Sequence, residues 1–170
     1  MESKGKDALL RAIEMEKEGK RFYIESAQKV ASALAKKIFE ELAVAEDKHI
    51  EVITKIYDGL QADRPLRQWV TEIGPSGKKI EKVFEESLVE KAKASEDDLR
   101  ALEFGLKMEN KSIEYYESLA ADTGDRFEKR FYLALSYEER GHALTLLDSI
   151  EYLTDPTSWM FMRGGHSLDG

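Results

Sequence analysis

The chain has 170 residues, 42% of them hydrophobic and 35% charged, with a net charge of -8. That is enough for one domain with a sizeable core, too apolar for disorder, and too acidic to neutralise the phosphates of a nucleic acid. The absence of cysteine excludes disulfides, zinc–thiolate sites, iron–sulfur clusters and any iron held by four thiolates within these residues.

The N-terminus, MESKGKDALL, has no apolar h-region. No apolar run approaches the roughly 20 residues of a membrane helix, so the expected location is the cytoplasm, with no membrane partner.

Four segments carry helical periodicity. They run from about residue 6 to 30, 33 to 57, 96 to 121 and 126 to 153. Ser32, Ser95 and Asp125 are N-cap candidates, and Glu128 stands where a capping box with Asp125 would need it. Short breaks make segments one and two, and then three and four, antiparallel neighbours. The stretch from about 58 to 95 is too long for a hairpin loop. It reads as a crossover containing a shorter amphipathic helix over 79–94. Beyond Asp155 the sequence predicts a non-helical tail, with Trp159, Met160 and Phe161 packed on the bundle or on a neighbouring subunit. The domain expected is thus 1–155, followed by a tail over 156–170.

The chain repeats itself. Shifted by 93 residues, residues 8–56 fall on 101–149, and the matches include Met15 with Met108, Glu16 with Glu109 and Tyr23 with Tyr116. Leu42 matches Leu135, Glu46 matches Glu139 and His49 matches His142. At the spacing of a bundle core, each helix's apolar stripe is broken near its middle by a glutamate: Glu16, Glu46, Glu109 and Glu139. The second and fourth helices add His49 and His142 one turn on.

Four ionised carboxylates in a dry core cost several kcal/mol each unless compensated. Two divalent cations balance them, and two neutral imidazoles complete the donor set. A glutamate from each of two helices and Glu-x-x-His from each of the other two is the di-iron or di-manganese arrangement of ferritin-like bundles. Iron, manganese and zinc all suit these ligands.

One Glu-x-x-His is a weak signal in a chain this acidic. Two of them on the same offset as Glu16/Glu109 and Tyr23/Tyr116 are a strong one. The offset also separates candidates: Glu14 and Glu18 fall on Lys107 and Lys111, and Glu138 falls on Ala45. Glu85, Glu86 and Glu90 read as solvated helix faces. Tyr23 and Tyr116, two turns past a candidate glutamate, read either as core aromatics or as phenols that bond a ligand carboxylate and orient it. Met15 and Met108 read as core fillers, and His166 as a surface residue of the tail.

These segments resemble the rubrerythrin family of the ferritin-like superfamily. AIEMEKEGKRFY and GLKMENKSIEYY look like its first and third helices, LAVAEDKHI and LSYEERGHA like its second and fourth. The resemblance implies an all-α four-helix bundle with a long crossover, holding two irons on Glu16, Glu46, His49, Glu109, Glu139 and His142, with Glu46 and Glu139 the bridging pair. It implies a dimer, reduction of hydrogen peroxide, and electrons from an external donor such as rubredoxin or a flavoprotein. Ferroxidase or dioxygen-reducing chemistry at the same site is the rival, and a non-enzymatic metal-binding bundle the second rival. Two departures stand out. The four-cysteine rubredoxin-like domain of rubrerythrins proper has no counterpart here, so the chain looks like a stand-alone erythrin domain. Ser112 lies one turn past Glu109, where rubrerythrins proper carry a further glutamate tied to a redox-linked iron movement.

Overall fold

The computed structural model describes residues 2–61 and 94–164. Among them there are helices and turns and no strand. The helices are α1 (Glu2–Lys29), α2 (Ala33–Gln61), α3 (Glu96–Asp122), α4 (Arg126–Thr154) and α5 (Pro156–Gly164). Helices α1 and α2 form one hairpin and α3 and α4 the other. The hairpins meet through α1 against α3 and α2 against α4. The all-α bundle expected from the periodicity is what the chain forms. Helix α2 runs one turn further than the pattern indicated, to Gln61. The crossover helix expected over 79–94 and the solvated Glu85, Glu86 and Glu90 lie outside the described residues, as does His166.

The hydrophobic core is two layers, not one. One is built around Tyr23, Phe39, Leu42, Leu102 and Leu146. The other is built around Leu9, Ile53, Tyr116, Phe131 and Leu135. The sequence repeat exchanges them: Leu9 falls on Leu102, Tyr23 on Tyr116, Leu42 on Leu135 and Ile53 on Leu146. The polar residues that interrupt each stripe lie mid-helix, between the layers, where the two hairpins are equivalent.

The helix ends show how the hairpins are tied. Ser95 and Asp98 close a capping box at the start of α3. The Asp98 carboxylate does more than cap. It accepts from the Ser95 N–H at 2.9 Å, the Ala31 N–H at 2.8 Å and the Ser32 N–H at 3.2 Å. A buried carboxylate at one helix start thereby holds the turn between α1 and α2. Burial opposes its ionisation, but these backbone donors and the Ser95 hydroxyl outweigh that and lower its pKa.

Asp98→Ala is therefore expected to destabilise the fold by roughly 1–3 kcal/mol for each N–H left buried without a partner, with Asp98→Asn losing less. Because the pKa is lowered, the contribution is present above the unfolded value of about 3.9 and is lost as pH falls through the folded one. Urea unfolding of both variants at neutral and acid pH checks this.

Two local expectations are corrected. Asp125 caps α4 by accepting from the N–H groups of Phe127 and Glu128, but Glu128 does not return the bond. Its carboxylate takes the Thr123 hydroxyl at 2.6 Å, and that oxygen accepts from the Asp125 N–H at 3.1 Å. The hydroxyl in the turn relays what a capping box would close directly. The tail, expected to be non-helical, forms α5 over Pro156–Gly164. Proline suits a first helical turn, where its missing N–H would have had no partner. Asp155 ends α4 and caps α5, its carboxylate accepting from the Ser158 N–H at 3.0 Å. Trp159 packs on the bundle as expected, edge-on to Tyr152 at 5.2 Å and donating to Asp148 at 2.8 Å. Met160 and Phe161 do not; they are 55% and 78% exposed.

Candidate metal centre

Each helix of the bundle delivers its polar residues because its apolar neighbours fix which face turns inward. Glu16 follows buried Leu9 and Ile13 on α1; Glu109 follows buried Leu102 on α3. Glu46 and His49 sit between Leu42 and Ile53 on α2, and Glu139 and His142 between Leu135 and Leu146 on α4. All six polar side chains are buried, at 1–5% exposure. The paired candidates fall as the repeat distinguished them: Glu14 and Glu18 face solvent, and Glu138 is only partly covered.

The six converge as two overlapping groups. Glu16, Glu46, His49 and Glu139 bring ligand atoms within 4.8 Å of one another, and so do Glu46, Glu109, Glu139 and His142. Glu46 and Glu139 belong to both groups. Nδ1 of His49 lies 3.0 Å from Glu16, with which it hydrogen-bonds, 3.0 Å from Glu139 and 3.6 Å from Glu46. Nδ1 of His142 lies 3.3 Å from Glu139, 3.6 Å from Glu109 and 3.7 Å from Glu46. The two imidazoles stack, 5.3 Å between centroids.

The tyrosines cross the bundle. Tyr23 of α1 donates its phenol proton to Glu109 of α3, and Tyr116 of α3 donates to Glu16 of α1. Sequence spacing placed each phenol two turns past a glutamate of its own helix and left open which carboxylate it would bond. The structure gives each to the opposite hairpin, so the pair also staples α1 to α3. Burial, then the charge of Glu109 for Tyr23 and of Glu16 for Tyr116, raises both phenols well above 10.

The donor set fits a pair of divalent cations. Four buried atoms, Nε2 of His49, Nδ1 and Nε2 of His142 and Oε1 of Glu139, have no hydrogen-bond partner. Buried polar atoms are nearly always paired, and two of these four, Nδ1 of His142 and Oε1 of Glu139, lie inside the cluster, where a metal ion would give them a partner. Carboxylate and neutral imidazole are the ligands of iron, manganese and zinc.

Without metal the cluster must hold protons instead. Burial, then the negative charge of Glu139, raises Glu109 to about 8, and burial with the charge of Glu16 raises Glu46. Burial alone would lower the histidines. Glu109 outweighs it and raises His142 to about 10, while Glu139 and Glu16 raise His49. Glu139 goes the other way: burial opposes its charge, but His49 and bonds from its neighbours hold it well below the ordinary value.

Metal uptake at pH 7 must therefore displace protons. Adding divalent metal to the metal-free protein in weak buffer is expected to release more than one proton per chain, with apparent affinity falling as pH is lowered. Uptake without acidification contradicts this. The raised groups also make the metal-free fold pH-sensitive. The contributions of Glu109 and His142 are complete below their unfolded values of about 4.3 and 6.5. They are lost as pH rises through about 8 and about 10.

A cleft of about 400 Å³ opens between α1 and α3 and reaches Glu16, Glu46 and Glu109. Met15, Phe22, Phe104 and Met108 form its apolar walls, with Gly19 and Ser112 beside the carboxylates. A Cβ at Gly19 would stand 3.5 Å from the Glu46 carboxylate. Met15 and Met108 are thus half-buried cleft residues rather than core fillers. Gly19 and Ser112 carry the same 93-residue relation as the ligand pairs, a signal present in the repeat but hidden because the residues differ.

A family model described as Rubrerythrin matches residues 7–148. The chain belongs to the rubrerythrin family. No curated protein and no solved structure matches it. The rubrerythrin match covers all six buried ligand candidates and both tyrosines, and the family's di-iron, ferritin-like character agrees with the two buried carboxylate–histidine groups. No described helix of this rubrerythrin is long and apolar enough to cross a membrane.

Proposed function

We propose that the chain is a non-haem di-iron oxidoreductase that reduces hydrogen peroxide with electrons from an external donor. The observation that carries this reading is an open cleft ending on three of the carboxylates of a two-metal donor set. A purely structural site has its coordination closed; six side chains for two ions leave positions free. Glu16 and His49 would hold one ion, Glu109 and His142 the other, and Glu46 and Glu139 would bridge. Bound there, a pair of ferrous ions supplies two electrons to a peroxide and polarises its oxygens.

The protein's own part is positioning. Tyr23 and Tyr116 keep their protons, because burial and the carboxylates raise their pKa values, so they orient Glu109 and Glu16 rather than deliver acid. Tyr23→Phe or Tyr116→Phe is expected to weaken metal affinity by about 10- to 100-fold while the bundle still folds; competition with a chromophoric chelator measures it. The chain's residues hold no thiolate iron site, so a separate donor, a rubredoxin or a flavoprotein, would restore the electrons. A second copy would cover the exposed Val44, Tyr137 and Leu144.

Rapid mixing of anaerobic, ferrous-loaded protein with hydrogen peroxide and, separately, with dioxygen tests the reaction. Peroxide oxidising the site far faster supports it. Dioxygen reacting as fast or faster favours a ferroxidase or oxidase, with Ser112 the first residue to examine. No reaction with either leaves a non-enzymatic metal protein.

A further inference from the structure

The cleft between α1 and α3 is far larger than its proposed oxidant. A water molecule claims about 30 Å³ of liquid, and hydrogen peroxide is only one oxygen larger. The cleft holds about 400 Å³, within the range of about 300–1,000 Å³ typical of organic-ligand pockets. Its inner end is polar, bounded by Glu16, Glu46 and Glu109, whereas Met15, Phe22, Phe104 and Met108 make the outer part apolar. Phe104 is 52% exposed and packs against Phe22 at 4.9 Å, so the aromatic wall extends to the mouth.

The space is built into the sequence. One turn past each of Glu16 and Glu109 stands a small residue, Gly19 and Ser112, at equivalent positions of the two hairpins. A long side chain at either would project into the cleft and narrow it. Its rim carries two acidic and two basic side chains, Glu18 and Glu25 against Arg21 and Lys111. That balance favours neither an anion nor a cation.

From this arrangement, polar at the metal end, apolar outward and neutral at the rim, we infer that the site takes uncharged organic hydroperoxides, with an alkyl or aryl group seated against Phe22 and Phe104. The inference rests on the peroxide-reducing reading and names its substrate class. In the reaction ROOH + 2e⁻ + 2H⁺ → ROH + H2O the O–O bond breaks. One oxygen leaves as the alcohol and the other as water. The two electrons come from the reduced site, restored singly by the external one-electron donor, and the two protons come from solvent.

The test uses the full chain and cumene hydroperoxide. Ferrous-loaded protein is mixed anaerobically with it and with hydrogen peroxide, and binding of the product alcohol, 2-phenylpropan-2-ol, is followed separately by saturation-transfer NMR. The inference expects cumene hydroperoxide to oxidise the site with at least tenfold lower half-saturating concentration than hydrogen peroxide. It also expects the alcohol's aromatic protons to receive saturation. Ser112→Leu, which narrows the cleft beside the carboxylates, and Phe104→Ser, at an exposed position outside the core, should each lower the ratio of organic to hydrogen peroxide rates at least tenfold and weaken alcohol binding. Fast oxidation by hydrogen peroxide with no alcohol binding and no preference for cumene hydroperoxide overturns this inference and leaves the peroxide reading standing. Failure of both peroxides, whether or not the alcohol binds, overturns the peroxide reading and this one with it.

Discussion

Glu139→Ala is expected to lower the metal content from two ions per chain to one or none, the largest single-residue effect in the molecule. Glu139 belongs to both ligand groups, lies 3.0 Å from His49 and 3.3 Å from His142, and is held well below the ordinary carboxylate value by His49 and its other neighbours against the effect of burial. Glu16→Ala, by contrast, touches one group only and should spare the other ion. Metal analysis of the two purified variants after identical loading separates these outcomes. Full stoichiometry in Glu139→Ala would refute the assignment of Glu139 as a shared ligand.

The second large effect concerns stability. Replacing Glu46 and His49 together by leucine should give a metal-poor bundle that still folds, and that is more stable than the metal-free parent. Breaking one buried partner is costly, but exchanging buried charge for packed apolar groups is often neutral or stabilising by about 1–4 kcal/mol. The leucines would join the two apolar layers that the polar layer now separates. For a chain of this length each kcal/mol moves Tm by about 2–4 °C. Loading metal should raise the parent's Tm and leave the double variant's unchanged, because binding stabilises only the fold that binds. Calorimetry of both proteins with and without metal checks the pair of statements. An unfolded double variant would mean that the polar layer, even without metal, is needed to hold the hairpins together.

The bundle and its polar layer were legible in the sequence for a physical reason. A buried glutamate is expensive enough that four of them interrupting four apolar stripes, on one offset, have few explanations besides metal. Hence Glu16, Glu46, His49, Glu109, Glu139 and His142 could be named from pattern alone, and the structure brings those side chains together.

What stayed hidden depends on which ends meet in space. Asp98 looks like an ordinary first-turn acid of α3. Only the fold shows that the α1–α2 turn lands on it, with Ala31 and Ser32 donating. Glu128 fits a capping box by spacing, yet Thr123 intercepts it. Pro156 reads as a stop signal, but directly after a capping aspartate it begins a helix. The crossing of Tyr23 to Glu109 and Tyr116 to Glu16 is likewise a property of how the hairpins face each other, not of either helix. The cleft is legible only in retrospect, in the small residues Gly19 and Ser112.

The central claim is that two metal ions lie between the carboxylates of Glu46 and Glu139. An anomalous difference map from crystals of the iron-loaded protein, collected at the iron edge, tests it most directly. The account predicts two peaks, one beside Glu16 and His49 and one beside Glu109 and His142, with Glu46 and Glu139 reaching both. A single peak, or iron bound only at surface carboxylates, would contradict it.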